Sequence, residues 1–194
     1  MNRSASIARK TKETDIEINL CADGSGKFTI ETGIAFFDHM LSSFAMHGGF
    51  DITGHVKGDL EVDQHHTVED TGIVLGQVFA QIFSQNKNVK RFGSFFVPMD
   101  EALSFAAVDI SGRPYLVYDC HIGDSKTGDM DSELFLEFFR AFTINAGLTL
   151  HTKMIYGSNG HHMIEALFKA VARAIREALT PNTGDVLPST KGLL

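Results

Sequence analysis

The chain has 194 residues, 43 % of them apolar, enough for one large domain or two small ones with a buried core. Its formal net charge of −7 and the lack of any Lys/Arg-rich run exclude a general binder of nucleic acid or membrane surfaces, so any anion site must be local. Only Cys21 and Cys120 are present, without C-x-x-C spacing, which disfavours a disulfide framework or a thiolate metal site; Met1 to Lys12 has no signal-like apolar core and no membrane-length apolar run occurs, so the expected setting is the cytoplasm.

In chain order, Asp15 to Leu20 alternates polar and apolar residues, Ala22-Asp23-Gly24-Ser25-Gly26 supplies turn chemistry, and Lys27 to Thr32 alternates again, which predicts a β-hairpin. Ile34, Phe37, Leu41 and Phe44 recur at helical spacing through Ile34 to His47, and Gly48-Gly49 supplies the stop. Phe50 to Val56 is strand-like, and His65 to Phe83 is a long helix with an apolar face. The second half repeats the plan with variations: strands at Phe92 to Val97, Ala102 to Ile110 and Tyr115 to Ile122, a helix at Asp131 to Ala146, a strand at Thr149 to Tyr156 and a last helix at His161 to Leu179. Phe37, His39 and Phe44 align with Phe135, Glu137 and Phe142 at a constant offset of 98. The pattern predicts an internally duplicated α+β fold, two similar halves that are each a small β-sheet covered by a helix pair, spanning residues 1–90 and 91–180 and followed by a tail, 181–194. The Phe rows are expected in the core.

The chemistry concentrates in a motif that occurs twice, His65-His66-Thr67-Val68-Glu69 and His161-His162-Met163-Ile164-Glu165, at a spacing of 96. Four residues overshoot a helical turn by only about 40°, so His65 with Glu69, and His161 with Glu165, make two chelating pairs. The second histidine of each doublet lies roughly 100° round the helix and is expected to serve a different ion. One such cluster alone is usually a solvated pair; its repetition before two matching helices points to metal. Asp59, Glu61, Asp63 and Asp70 surround the first doublet, and those that ligate nothing can accept the remaining imidazole N–H groups, although Asp63 equally suits an acidic helix start. His39 stands opposite Glu137 in the duplication, while His55, His121 and His151 have no repeated partner and are expected to be structural. Ser189, Thr190 and Lys191 would suit a phosphate, though composition alone describes a solvated end; Arg91 and Arg113, beside strand boundaries, are the other anion candidates.

Taken together, Phe37-Asp38-His39-Met40-Leu41, Asp63-Gln64-His65-His66-Thr67-Val68-Glu69-Asp70, His161-His162-Met163-Ile164-Glu165-Ala166-Leu167-Phe168-Lys169-Ala170 and Ser189-Thr190-Lys191-Gly192 resemble the imidazoleglycerol-phosphate dehydratases of histidine biosynthesis, from about Arg9 to Gly192. The resemblance implies a fold of the ribosomal protein S5 domain 2-like type, two manganese(II) ions per site, and a homo-oligomeric shell of 24 subunits with sites between them. One ion would be held by His39, His66, His161 and Glu165, the other by His65, Glu69, Glu137 and His162. Many relatives have His where this chain has Glu137, and a carboxylate is compatible with manganese. Implied catalytic residues are Glu13, His47, Glu69 and Glu165. Implied substrate contacts are Glu13, His39, His47, His65, Glu69, Arg91, Arg113, His161, Lys169, Ser189, Thr190 and Lys191, with Arg91, Arg113, Ser189 and Lys191 gripping the phosphate.

The implied reaction removes water from D-erythro-imidazole glycerol phosphate to give imidazole acetol phosphate. The departing proton sits on a carbon with no adjacent carbonyl, and the implied route binds the substrate ring to the metals as an imidazolate, from which loss of hydroxyl gives a diazafulvene. Glu13 is the first candidate base, His47 its acid/base partner, and Asp100 or Glu101 a substitute. Two other functions use the same residues: a dinuclear metal hydrolase of phosphate esters, and a non-enzymatic metal-assembled shell.

Overall fold

A computed structural model describes residues 3–86, 88–123 and 125–182. The predicted phosphate ligands Ser189, Thr190 and Lys191 lie outside the described residues. The first half runs β1 (Ser4–Lys10), β2 (Thr14–Cys21), α1 (Ala35–Gly48), β3 (Asp51–Gly58) and α2 (His65–Gln85). Its sheet is antiparallel with order β1-β2-β3. The second half runs β4 (Phe92–Met99), β5 (Ala102–Asp109), β6 (Tyr115–Asp119), a two-stranded ribbon of β7 (Lys126–Thr127) and β8 (Met130–Asp131), α3 (Glu133–Ala146), β9 (Thr149–Tyr156) and α4 (Gly160–Ala178). Its main sheet has order β4-β5-β9-β6, with β6 parallel to β9.

Strand register displays the duplication. Leu20 on β2 faces Ile52 on β3, as Val108 on β5 faces Leu150 on β9. Both α1 and α3 stop at a left-handed glycine, Gly49 (φ 64°) and Gly147 (φ 65°), whose N–H caps the last turn. A β-carbon would resist that conformation, so the glycines fix where both helices end.

The first hairpin differs from the prediction. Its strands are β1 and β2, and residues 27–32 instead run beside β3, where Phe28 bridges Ile52 in parallel. They occupy the place that β6 holds in the second half, with Leu116 parallel to Leu150. Alternation in 27–32 reports an inward face, with Ile30 buried, but alternation does not choose a partner. Ser4 to Lys10 is an edge strand ending in Arg-Lys and escapes an apolar-pattern search, although Ala5 points inward. Its turn is closed by the Thr11 hydroxyl, which accepts from the N–H groups of Glu13 (3.1 Å) and Thr14 (3.0 Å).

The helices exchange partners between halves. α2 lies on β1 and β2 and runs along α3, whereas α4 lies on β4 and β5 and runs along α1. The four helices therefore lie between the two sheets, their apolar faces meeting Ile16, Ile18 and Leu20 from one side and Ala106, Val108 and Leu150 from the other. Phenylalanines fill the middle, with Phe37 edge-on to Phe138 at 5.3 Å and Phe138 stacked on Phe168 at 5.4 Å. α2 approaches α3 over Gly72 and Gly76, where a Cβ would come within 2.7 Å of Phe138 O and 2.6 Å of Phe142 O. Among the described residues no helix is long and apolar enough to cross a membrane.

Candidate metal centre

The partner exchange brings His39 on α1 against the start of α4. Asn159 begins α4, its side-chain oxygen accepting from the N–H groups of His161 (3.0 Å) and His162 (3.2 Å), so the second doublet sits in a fixed first turn. Down one face of α4 follow His161, Glu165 and Lys169 at four-residue intervals. His39 and His161 each bring Nε2 to 3.1 Å from the same Glu165 oxygen, Oε2, while Lys169 Nζ donates to the other oxygen at 2.8 Å. Ligand atoms of His39, His161 and Glu165 all lie within 4.8 Å of one another, the one group of this kind among the described residues. Phe36 packs edge-on to the His161 ring at 5.1 Å and walls one side; a polar cleft of about 460 Å³, lined by Thr127, Ser158, Asn159 and His161, opens beside it.

Burial of Glu165, only 7 % exposed, opposes its ionisation, but the bond to Lys169 and the bond to His39 outweigh this and keep the carboxyl below its ordinary value of 4.5. It is a carboxylate at neutral pH. His47, at the end of α1, is pushed below its ordinary 6.5 by burial and then by the charges of Lys169 and Arg173, so its ring is uncharged at neutral pH.

The first doublet opens α2. Asp63 Oδ1 accepts from His65 N–H at 2.7 Å, which makes Asp63 a helix-start residue. Asp70 is buried, paired with Arg9 and bonded to the Thr14 hydroxyl, so it ties α2 to the first hairpin. His65 Nε2 stands 3.7 Å from Glu69. His66 donates from Nδ1 to Asp59 at 3.1 Å, with Glu13 at 3.9 Å from its Nε2. His162 likewise donates from Nδ1 to Glu101 at 2.8 Å, with Asp100 at 3.6 Å from its Nε2. Bonding to Asp59 raises His66 above 6.5; Glu101 does the same for His162, and Glu101 itself falls to about 2, held first by His162 and then by the Asn159 N–H. Glu101 is thus engaged in binding His162, which weighs against it as a substitute base. Glu137 on α3 bonds Arg140 at 2.7 Å through both oxygens and lies outside the closed group, as do His65, His66, Glu69 and His162.

The predicted phosphate ligands Arg91 and Arg113 share Asp109: Arg91 Nε donates at 2.7 Å and Arg113 Nη2 at 3.4 Å. Composition overlooks Asp109, although its four-residue spacing from Arg113 is a readable signal. Arg91 has φ 71°, unusual for a side-chain-bearing residue, and is pinned by N–H donation to Ala178 O at 3.0 Å. Ala178 lies 13 residues beyond Glu165 on α4, which at 1.5 Å per residue is about 20 Å. Within one chain the arginines and the imidazole cluster are at opposite ends of the same helix.

Fold and site together define a duplicated α+β protein whose helix starts gather imidazoles around carboxylates, a donor set suited to a divalent ion such as manganese or zinc. The imidazoleglycerol-phosphate dehydratase family model matches residues 32–175. Imidazoleglycerol-phosphate dehydratase of Acetivibrio thermocellus is 55 % identical over 195 aligned residues, covering 100 % of both chains, and that of Lachnoclostridium phytofermentans is 56 % identical, covering 99 % of this chain and 98 % of the relative. The crystal structure of the Staphylococcus aureus enzyme superposes with a TM-score of 0.81 at 40 % identity, covering 92 % of this chain and 99 % of that one. The Pyrococcus furiosus enzyme, solved in complex with (S)-C348, superposes with a TM-score of 0.83 at 37 % identity, covering 97 % and 100 %. The chain belongs to the imidazoleglycerol-phosphate dehydratase family, the hydro-lyases of this step in histidine biosynthesis.

Proposed function

We propose that the chain converts D-erythro-imidazole glycerol phosphate to imidazole acetol phosphate with two manganese(II) ions per site, in sites shared between copies of the chain in a large cytoplasmic homo-oligomer. The observation that carries this reading is the convergence of His39, His161 and Glu165. Two aromatic nitrogens and one carboxylate oxygen within one ion's reach fit the preferences of manganese, and the Lys169 bond keeps the carboxylate ionised and aimed.

The duplication supplies the logic of the second ion. Exchanging α1 for α3 and α4 for α2 turns His39, His161 and Glu165 into Glu137, His65 and Glu69. Each set lacks a fourth ligand, and the second histidines, His66 and His162, are left over to supply one to each from another copy. The 20 Å scale between Glu165 and Arg91 argues the same way, since a three-carbon phosphate chain cannot bridge it; the Arg91 and Arg113 clamp would then come from a neighbouring copy, with Ser189, Thr190 and Lys191.

When bound, the ions would supply Lewis acidity that makes the substrate's ring N–H easier to lose; the electron-rich deprotonated ring would then expel the neighbouring hydroxyl, which leaves as water with that proton. Glu13, standing near His66 without serving as its Nδ1 acceptor, removes the proton from the neighbouring carbon. His47, uncharged at neutral pH, takes up a proton on one ring nitrogen as it releases one from the other, the relay that turns the enol into the ketone. Lys169 holds Glu165 and closes the charge balance of the cluster.

Incubating the manganese-loaded protein with imidazole glycerol phosphate tests the reading: ketone product supports it, free phosphate would make the chain a phosphate-ester hydrolase, and neither would leave a metal-assembled shell. The family relationship favours the dehydratase over both.

A further inference from the structure

The two halves meet one requirement in different ways. In each, the second histidine of the doublet has its Nδ1 bound by a carboxylate: His66 by Asp59, with both carboxylate oxygens at 3.1 Å, and His162 by Glu101 at 2.8 Å. Yet Asp59 and Glu101 are not duplicates of each other. Asp59 follows β3, and the residue that follows β9 in the same way is Gly157. Glu101 is the second residue of the two-residue turn between β4 and β5, and its counterpart in the turn after β1 is Glu13. A side chain cannot be restored at Gly157 cheaply, because a Cβ there would lie 2.5 Å from Met163 Cγ. The second half therefore draws its carboxylate from the hairpin turn, and the first half, with Asp59 in place, leaves the equivalent turn residue Glu13 at 3.9 Å from the other side of the His66 ring.

We infer that Asp59 and Glu101 are positioning residues, each holding the ring of His66 or His162 through Nδ1 so that Nε2 is the nitrogen offered to an ion, and that this division of labour frees Glu13 for the substrate. The inference rests on the metal-dependent reading given under the proposed function. An imidazole that donates one N–H to a carboxylate has its tautomer and orientation fixed and its other nitrogen made more basic, and loss of such a partner typically weakens metal binding about 10- to 100-fold. Glu101 has further work at the start of α4, accepting from the N–H groups of Ser158 (3.2 Å) and Asn159 (2.7 Å), so the ring and the helix start move as one body.

The test is manganese titration of the purified full-length protein by calorimetry after chelation, for wild type, Asp59→Ala, Asp59→Asn, Glu101→Ala and Glu101→Gln, with thermal melts of the same metal-free samples. Expected are a roughly 10- to 100-fold loss of manganese affinity in each Ala variant and recovery of most of it in Asn and Gln, which still accept from Nδ1. Glu101→Ala is expected to lower the melting temperature as well, through the helix start, whereas Asp59→Ala isolates the ring. Wild-type affinity in a folded Asp59→Ala protein, or equal losses in Ala and the amide variants, would overturn the positioning role. Failure of the functional reading looks different: wild-type protein that takes up manganese, with the Ala variants weakened as expected, but yields no ketone from imidazole glycerol phosphate. A second check is kinetic, since Glu13→Gln should lower kcat while leaving manganese affinity at the wild-type level, the reverse of Asp59→Ala.

Discussion

The triad His39–His161–Glu165 and its duplicate, Glu137–His65–Glu69, sit on equivalent helices but are not equally assembled. Glu165 is almost buried, touches both imidazoles and is clamped by Lys169 one turn further on. Glu69, with a side chain 42 % exposed, stands 3.7 Å from His65; one turn further on is Ile73, and Glu137 faces Arg140. The duplicated backbone gives both sets equivalent places on their helices, but only the set with a local counter-charge is gathered. The clamped triad is pre-organised, and the other three side chains are not brought together.

Removing metal should erase the comparison altogether and have the largest effect. If each ion joins ligands from different copies, binding stabilises the assembly by mass action. Chelation is expected to abolish dehydration and shift the particle to smaller species, with manganese restoring both. Sedimentation of an unchanged large particle after complete metal removal would break the link to assembly.

Glu165→Gln and Glu69→Gln should each lower turnover at least about 100-fold by removing a ligand, but only Glu165→Gln should destabilise the metal-free protein. It leaves the Lys169 ammonium, 17 % exposed, without its anionic partner, a loss on the order of 1–3 kcal/mol that thermal melts would register as a few degrees. Because the Glu165 carboxyl is held below 4.5 in the folded chain, its contribution is complete above that pH and disappears as pH falls through the lower folded value. Wild-type melting temperature should therefore drop in acid below about pH 4.5 more steeply than that of Glu165→Gln. His66 and His162 have the opposite sign: raised above 6.5, their bonds to Asp59 and Glu101 stabilise below pH 6.5 and fade as pH rises through the folded values.

Lys191→Ala probes the far end of the substrate. A charge-assisted bond to phosphate is worth roughly 1.5–3 kcal/mol, so KM should rise about 10- to 100-fold with manganese content unchanged. Wild-type kinetics in that variant would reduce the phosphate site to Arg91 and Arg113. Smaller still is the expected effect at Glu137. Glu137→Ala should weaken manganese binding by roughly tenfold and Glu137→His should retain it. Full manganese occupancy and activity in the Ala variant would remove Glu137 from the ligand set and leave it as the partner of Arg140.

The helices and the duplication were legible because 3.6-residue spacing, the Gly48-Gly49 stop and a repeated HHxxE are local signals. The pairing of strands was not. Residues 27–32 alternate as a strand should, yet they join β3 in parallel rather than β2 in a hairpin, and the true partner of β2, Ser4 to Lys10, hides behind small and charged residues. At the site, the His161–Glu165 pair could be drawn on a helical wheel, but its closure with His39 depended on α1 crossing α4, a contact between halves that no local pattern encodes. The Nδ1 partners were half visible. Asp59 belonged to a set of carboxylates near the doublet, whereas Glu101 is 61 positions before His162 and meets it only through the β4–β5 turn. The resemblance brought Arg91 and Arg113 into one clamp with Ser189 and Lys191; what sequence hid is that they lie a helix length from the imidazoles of their own chain.

The bare face of α2 makes residue 72 a spacer with a set thickness. Phe138 O would be 2.7 Å from a Cβ there, against the 3.4 Å or more of an ordinary contact, so one methyl would force the α2–α3 gap open by several tenths of an ångström. Glu69 lies one turn back on α2, and Glu137 is the neighbour of Phe138 on α3, so the same gap spaces the helix segments that carry these two carboxylates. Gly72, with no side chain to offer an ion or a substrate, thus acts as a gauge set in the backbone: the helices that carry Glu69 and Glu137, the ligands proposed for the second ion, stand as close as its bare face allows.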